Sequence, residues 1–543
     1  MSITYNKSIY GLLGIVTLFV VVGFFTLWLT PHFSTSERIQ LTQDEASQYA
    51  ISLLQAQNVG EVYTQTQRPL LTTDWVASFF ITDTLGDKQK TYYAEYDLPT
   101  FTYICEVTSR EGALYTVSVD ASTGDVVAWN VHTIPGNLEN QSPTATLSDS
   151  VTSYLEKRGL SAPSLTVASE ESATTTDVVG RKVTVLRSVF VLQGSELESP
   201  YGKGYVTYVV RSVGDTIVSL AQTFVVPEAY QQEAQASQQS GFGIRLFLNI
   251  LYFCLLGAAV YVLYIYRSHV RLVYQTPLLL TLGITVLIAL ETVNGGAAIV
   301  HLIGGVGSPD RVVPILLLGL LTTVMFALPF FVFLTAGIVL WKQDSTCHSV
   351  PILAKRDVLR MAKSVYLGYM IGGIVIIIFT LTTLTESGGM IGKSVKDLEY
   401  LIATHFPVFS IFSLVAFIPA FVEEVTYRLF AFVFITHYFG SRYLGALVAT
   451  LLWVVPHIES LDFLEIVYFC VLGALLMGVL LRQGLLASVI VHYVVNAALG
   501  VFLIGTMFAL SDSMVWASVL ILALPAVLGS MYAIQASRCT TIK

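Results

Sequence analysis

Long apolar runs constrain the fold of this chain more than any other feature. Of its 543 residues, 54% are hydrophobic and only 12% are charged, whereas soluble chains carry about 25% charged residues. About 20 consecutive apolar residues are enough to cross a bilayer as a helix. The runs are residues 9–29, 246–266, 278–303, 313–341, 365–384, 406–439, 444–457, 463–481, 485–510 and 514–534. The sequence therefore predicts a polytopic α-helical membrane protein with about ten spans.

Positive charges in the short loops predict the orientation of these spans, because cytoplasmic loops are enriched in lysine and arginine. One side of the predicted topology carries most of them: Lys7, Arg267, Arg271, Lys342, Lys355, Arg356, Arg360, Lys363, Arg442, Arg482 and Arg538. We therefore expect a cell-membrane protein with both termini cytoplasmic and with residues 31–242, which contain no apolar run, extracytoplasmic. The net charge of −8 argues against nucleic acid as a partner.

Residues 31–242 predict an extracytoplasmic α+β domain between the first and second spans. "LTQDEASQYAISLLQ" and "LSDSVTSYLEKRG" each begin with a Thr or Ser cap and continue with helical spacing, and β-rich sequence follows each. Gly124-Asp125 and Gly214-Asp215 mark equivalent hairpin turns. With its "DASTGDVV" segment, the pattern resembles a PepSY-type module present twice. The alternative is another small α+β fold with tight turns.

The sixth apolar run contains the charged segment "VEEVTYR", residues 422–428. Each charge at the centre of a bilayer costs about 2.5–3.5 kcal/mol on insertion scales. Glu424 and Arg428 are four residues apart, so they share a helix face and can neutralise each other. Glu423 is rotated from Glu424 by about 100° around the helix axis, onto the helix face that contains Tyr427. Without a cation, this carboxylate is a candidate general acid or base.

Two further polar pairs lie in later runs. "WVVPH" places Trp453 four residues before His457, and "HYVVN" places His492 four residues before Asn496. A carboxylate, two imidazoles and an amide can activate water and stabilise an oxyanion. Glu423, His457 and His492 are also ordinary zinc ligands. Alternatively, a single histidine in a membrane helix serves as a helix–helix hydrogen-bond partner.

Other polar or nucleophilic side chains in the runs give weaker signals. Glu291 and Asn294 fall in the third run, but the sequence indicates no partner for them. Ser488 lies one turn before His492 and has no matched acid in the sequence. Cys470 lies in the apolar segment "VYFCVLG", where its thiol would stay protonated. The sequence therefore predicts no covalent nucleophile.

The order "EExxxR", aromatic-x-x-x-His and "HxxxN" over residues 400–510 resembles the CPBP family. These are the CAAX-protease and bacteriocin-processing membrane endopeptidases, also called the Abi family. The chain departs from the family pattern at Trp453, where Phe is usual, at Thr426 and Tyr427, and at Leu429, where Gly is common. We interpret the aromatic change as conservative, and no departure removes a chemical group. The matching residues are Glu423, Glu424, Arg428, Trp453, His457, His492 and Asn496.

The resemblance implies an intramembrane endopeptidase. Glu423 and His457 would activate water, and His492 and Asn496 would stabilise the oxyanion. The structural supports would be Glu424, Arg428 and Trp453. The partners would be the bilayer and a membrane-bound or membrane-proximal peptide.

A zinc cofactor is left open, with Glu423, His457 and His492 as its ligand set. The chain has no HExxH helix, and its sequence indicates no carboxylate beside either histidine. These two observations slightly favour a site without metal.

Two other function classes are compatible with the sequence. One is a proton-coupled transporter, and the other is a catalytically inactive scaffold or regulator. No inverted repeat is visible in residues 246–534 and all four catalytic residue types are present, which favours the endopeptidase. Pro419 is expected to break or kink its helix. The predicted units are an anchor (1–30), the α+β domain (31–242), transmembrane helices (243–400), the catalytic core (401–510) and a last helix with a tail (511–543).

Overall fold

The computed structural model combines an antiparallel sheet domain with a set of long apolar helices. The first predicted span (9–29) and the second predicted outer helix (147–159) lie outside the residues that the structure describes. The described residues are 39–57, 63–65, 69–133, 165–176, 182–214, 216–295, 312–343, 365, 367–374, 404, 406–458, 463–507, 513–525 and 527.

Among the described residues, ten strands, all paired antiparallel, form the sheet domain. They are β1 (Tyr63–Gln65), β2 (Leu70–Thr72), β3 (Thr102–Ser109), β4 (Leu114–Asp120), β5 (Val126–Val131), β6 (Leu165–Thr176), β7 (Lys182–Leu192), β8 (Leu197–Ser199), β9 (Gly202–Val213) and β10 (Thr216–Val225). The spatial order is β1-β3-β4-β5-β10-β9-β7-β6, with β2 on β3 and β8 on β9. Two meanders, β3-β4-β5 and β7-β9-β10, therefore meet at their last strands. The predicted repeat stays a prediction, because its second helix is not among the described residues.

Local sequence signals account for the ends of several elements in this domain. Helix α1 (Gln43–Gln57) starts at Thr42, whose backbone N–H donates to Glu45 Oε2 at 2.8 Å while Glu45 N–H donates to Thr42 Oγ1 at 3.3 Å. This reciprocal pair is a capping box. Gly124 (φ +86°) and Gly214 (φ +57°) take left-handed conformations in the turns β4–β5 and β9–β10, so both predicted hairpins are confirmed. Helices α2 (Trp75–Leu85) and α3 (Gln89–Glu95) are the other helices in the described part of the domain.

The remaining described chain is helical. The helices are α4 (Glu228–Ile265), α5 (Arg267–Val270), α6 (Gln275–Asn294), α7 (Val312–Gln343), α8 (Pro407–Phe439), α9 (Arg442–Val454), α10 (Phe463–Gln483) and α11 (Leu485–Met507), with residues 367–374 and Ser513–Pro525 also helical. Among the described residues, 5 helices are long and apolar enough to cross a membrane. Large apolar side chains such as Phe247 and Leu279 are exposed on them, as lipid contact requires. The chain is thus a membrane protein with a separate sheet domain, and the predicted count of ten spans stays a prediction.

Helix α8 runs without a break through Pro419. Of the predicted break or kink, the break is therefore wrong, and the kink stays a prediction. Two π-helical segments, Ile411–Phe417 and Glu424–Ala431, alternate with α-helical ones along it. Proline has no N–H to donate to the carbonyl four residues earlier. The first π segment ends one residue before Ile418 and shifts the hydrogen-bond register there, since the N–H of Ile418 donates to the carbonyl of Ser413. The helix therefore accommodates the proline within a wider turn.

Candidate active site

The two adjacent glutamates of α8 lie in different surroundings. Glu423 ends the α-helical stretch Ile418–Glu423, and Glu424 begins the second π segment. The Glu423 side chain keeps 24% of its surface exposed, whereas the Glu424 side chain is completely buried. One carboxylate is therefore accessible to a small reactant such as water, and the other is part of the protein interior.

Three ring nitrogens surround a single oxygen of Glu423. Trp453 Nε1 donates to Oε2 at 2.6 Å, and the same oxygen lies 3.4 Å from His457 Nε2. His492 Nε2 lies 3.7 Å from it. The structure thus brings Glu423 together with both histidines, although they come from α8, α11 and the short turn after α9. Their helical spacing in the sequence predicts this convergence.

A hydrogen bond at Nδ1 fixes the orientation of each imidazole. His457 lies in the 3-10 turn Val455–His457 that ends α9, and its Nδ1 donates to the Trp453 carbonyl at 2.7 Å. His492 Nδ1 donates to Glu424 Oε1 at 3.0 Å. Because both acceptors are oxygens without a proton, each Nδ1 carries the hydrogen. The Nε2 atoms of the two rings are therefore both directed to Glu423 and are available for proton transfer.

Glu424 is the centre of a fully buried polar group. Its Oε1 lies 3.2 Å from Arg428 Nη1 in the predicted ion pair, and its Oε2 accepts from Ser488 Oγ at 2.5 Å. Together with the bond from His492, this carboxylate has three partners. The sequence predicted no matched acid for Ser488 and no carboxylate beside either histidine, and both predictions are wrong. Glu424 is the carboxylate partner of Ser488, and it also lies beside His492. Sequence separation hid both contacts, because they join residues 64 and 68 positions apart.

Asn496 joins α11 to the first π segment of α8. Its Nδ2 donates to the Val415 carbonyl at 3.0 Å. Val415 is four residues before Pro419, so this carbonyl is the one that the proline cannot serve. An asparagine amide has two N–H donors, so this bond leaves a second donor. The structure therefore gives Asn496 a role in supporting α8, beside the role in the oxyanion site that the resemblance implies.

Trp453 makes three kinds of contact within the site. Besides its N–H bond to Glu423 and its carbonyl bond from His457, its ring lies 4.4 Å from the Arg428 guanidinium carbon. A phenylalanine would retain the ring contact and the backbone bond, but it has no N–H. The interpretation of Trp453 as a conservative aromatic change is therefore wrong, because the indole adds a hydrogen-bond donor to the carboxylate.

A second buried carboxylate, outside the motifs, joins α6 to the start of α8. Glu291 accepts from Ser410 Oγ at 2.6 Å and from Ser413 Oγ at 2.7 Å. Asn294 Nδ2 donates to Ser410 Oγ at 2.9 Å, and its Oδ1 accepts from Phe406 N–H at the same distance. The statement that Glu291 and Asn294 lack partners is thus wrong. Two serines three residues apart in an otherwise apolar run were the sequence signal for this cluster.

The zinc ligand set stays a prediction. A tetrahedral zinc site needs several donor atoms about 2.0–2.3 Å from one point. Glu423 Oε2 already accepts the Trp453 N–H, and no group of three His, Cys, Asp or Glu side chains in the described part of the chain is arranged to hold a metal ion. The hydrogen bond from His492 to Glu424, which the sequence did not predict, is of the kind that orients histidines bound to a metal.

Comparison with known proteins identifies one family. Residues 405–498 match the family model described as Type II CAAX prenyl endopeptidase Rce1-like. This segment contains every residue of the three motifs, so the predicted resemblance to the CAAX-protease family is confirmed for it. The PepSY-like resemblance of the sheet domain is not confirmed and stays a prediction. No curated protein and no solved structure matches the chain.

Proposed function

We propose that the protein is an intramembrane endopeptidase that hydrolyses a peptide bond with a water molecule activated by Glu423 and His457. The observation that carries the proposal is the placement of His457 Nε2 and His492 Nε2 at 3.4 and 3.7 Å from one oxygen of a partly exposed carboxylate within apolar helices. The match to CAAX endopeptidases over the same segment supports the reaction class.

In the first step, Glu423 removes a proton from water while the water oxygen attacks the carbonyl carbon of the substrate. All three nitrogen contacts fall on Glu423 Oε2, so we assign Oε1 as the proton acceptor. His457 Nε2 assists by holding the same water, because its Nδ1 is committed to the Trp453 carbonyl. General-base assistance of this kind contributes about 10²–10⁴-fold in rate.

In the second step, the oxyanion of the tetrahedral intermediate accepts hydrogen bonds from Asn496 and from Nε2–H of His492. Because Nδ1–H of His492 is committed to Glu424, this step uses His492 with a hydrogen on both ring nitrogens. His492 is held for this task by Glu424, and Asn496 contributes its second N–H. The proton taken from water then passes to the nitrogen of the leaving amine as the carbon–nitrogen bond breaks. The products are a free carboxylate and a free amine, and no residue of the chain is covalently modified.

The substrate class we propose is a membrane-bound or membrane-proximal peptide. The matched family is named for CAAX prenyl endopeptidases, and a prenylated peptide is anchored in the bilayer by its lipid. A buried site among apolar helices is suited to such a ligand. We further propose the orientation expected from the loop charges, with the sheet domain extracytoplasmic and both termini cytoplasmic.

The test is hydrolysis by purified full-length protein in nanodiscs. Two fluorogenic peptides of identical sequence, one prenylated and one attached to a transmembrane helix, report cleavage, and mass spectrometry locates the cut. Glu423→Gln keeps the size and hydrogen-bonding capacity of the side chain but removes the base, so turnover should fall by at least about 10²-fold. Glu228→Gln, the same change at the exposed start of α4, is the matched control and should not alter turnover.

Each result of this experiment has a defined meaning. Cleavage of neither peptide by the folded wild-type protein, or equal turnover by wild type and Glu423→Gln, would contradict the endopeptidase. Where cleavage is found, a chelator followed by added zinc tests the cofactor. Loss of activity that zinc restores would favour the metal site, for which Glu423, His457 and His492 are the predicted ligands, whereas constant activity would favour the glutamate without metal.

A further inference from the structure

We propose that Trp453 is a positioning residue that selects which oxygen of Glu423 acts as the base. The inference rests on the proposed function and deepens it for the same site. The indole N–H holds Oε2 at 2.6 Å, and the two histidine contacts fall on the same oxygen, so Oε1 is the oxygen that none of the three ring nitrogens contacts. Nothing in the motif of an aromatic residue four positions before a histidine requires this donor.

The hydrogen bond comes from a side chain that is itself immobilised. Trp453 is 1% exposed, and its ring lies against the His457 ring with centroids 4.2 Å apart and an interplanar angle of 36°. On another side the ring meets the Arg428 guanidinium at 4.4 Å. A side chain packed in this way cannot move with Glu423 if the carboxylate rotates. The indole N–H therefore fixes the orientation of the carboxylate.

The same residue couples the base to its histidine. Its backbone carbonyl accepts from His457 Nδ1 at 2.7 Å while its side chain holds Glu423. Trp453, a rigid residue at the end of α9, therefore holds both of the groups that would activate water. Misplacement of a reacting group by about 1 Å can cost about 10²-fold in rate, so loss of the indole N–H should act on the chemical step.

The alternative is that Trp453 only fills space. A packing role needs the shape of the ring but not its N–H. The two roles are separated by 3-benzothienylalanine, in which sulfur replaces the indole N–H and the bicyclic shape is kept. Trp453→Phe is a second variant that keeps an aromatic ring, and Trp516→Phe, at a residue 68% exposed, is the matched control.

The experiment measures kcat and KM of the full-length protein in nanodiscs with benzothienylalanine incorporated at position 453. A hydrogen bond to a charged group is expected to change the rate by about 10- to 100-fold. We therefore expect kcat to fall by that factor with KM and thermal unfolding unchanged. Trp453→Phe should show a loss at least as large, and Trp516→Phe none. Unchanged kcat in the benzothienylalanine variant, or loss of folding in both variants at position 453, would assign Trp453 to packing and overturn the proposal.

A spectroscopic readout keeps this inference separate from the proposed function. In protein labelled with ¹⁵N-tryptophan, Trp453→Phe identifies the indole resonance of Trp453. That resonance should shift in Glu423→Ala, because its acceptor is removed, while the Trp516 resonance stays in place. If the wild-type protein hydrolyses nothing, the proposed function fails, and this shift alone tests the bond. A Trp453 resonance that does not move would overturn the proposal even in an active enzyme.

Discussion

Among the described residues, Glu424 is the only carboxylate in contact with the buried Arg428 side chain. Replacing Glu424 by alanine removes this contact. Both side chains of this ion pair are 0% exposed. The variant would leave the guanidinium buried without its counter-charge. It would also remove the acceptor of His492 and one of the two acceptors of Ser488, which keeps the Leu476 carbonyl at 3.1 Å. We expect a loss of stability, whereas Glu423→Ala should mainly remove chemistry.

The magnitude follows from the contacts of the carboxylate. Breaking a buried ion pair by removing one partner costs about 3–5 kcal/mol. Each buried hydrogen-bonding group left without an acceptor adds about 1–3 kcal/mol. Taking the lower end for the pair and for the Nδ1–H of His492, Glu424→Ala should reduce the free energy of unfolding by about 4 kcal/mol, which is about three orders of magnitude in the folding equilibrium.

The assay is unfolding of the purified protein in mixed micelles, with increasing denaturing detergent and intrinsic fluorescence as the readout. The double variant Glu424→Leu/Arg428→Leu is the control, because removal of both charges leaves no unpaired cation. It should recover a substantial part of the stability lost in Glu424→Ala. Wild-type stability of Glu424→Ala, combined with loss of hydrolysis, would refute the reasoning and would exchange the roles of the two glutamates.

Three further outcomes are expected. Glu291→Ala should lower stability by about 1 kcal/mol for each of the two serine hydrogen bonds that it removes, measured in the same unfolding assay, and an unchanged midpoint would contradict the clamp between α6 and α8. Burial raises the pKa of the Cys105 thiol to about 12, so alkylation at pH 8 should be slow in the folded sheet domain and fast after denaturation, as followed by mass spectrometry. Serine- and cysteine-directed covalent inhibitors should leave turnover unchanged, and an acyl-enzyme trapped on any residue would argue against a water mechanism.

The spacing of polar residues in apolar runs predicted the main features of the site. Residues four apart share a helix face, which was enough to separate Glu423 from the pair Glu424 and Arg428 and to place each histidine toward a common point. The capping box at Thr42 and the two glycine hairpin turns were also readable, because they depend on residues close in sequence.

Contacts between distant helices were not readable in this way. The bonds from Ser488 and His492 to Glu424 and from Trp453 to Glu423 depend on how helices pack, and one sequence contains no direct record of packing. The proline in α8 shows a related limit. Its missing N–H was evident, but the compensating π segment and the bond from Asn496 to Val415 arise only in the assembled bundle.

The π segments of α8 have a consequence for changes in the length of the chain. Deleting one residue from an ordinary α-helix turns everything beyond the deletion by about 100°. Such a turn would move Glu424 toward the face that Glu423 now occupies. A π segment contains a surplus residue, so a deletion within Ile411–Phe417 or Glu424–Ala431 can be absorbed by a local return to α-helical bonding. Helix α8 thus holds one surplus residue on the amino-terminal side of its glutamates and another directly after Glu423, so a one-residue deletion at either place can occur in evolution while Glu423 keeps its orientation.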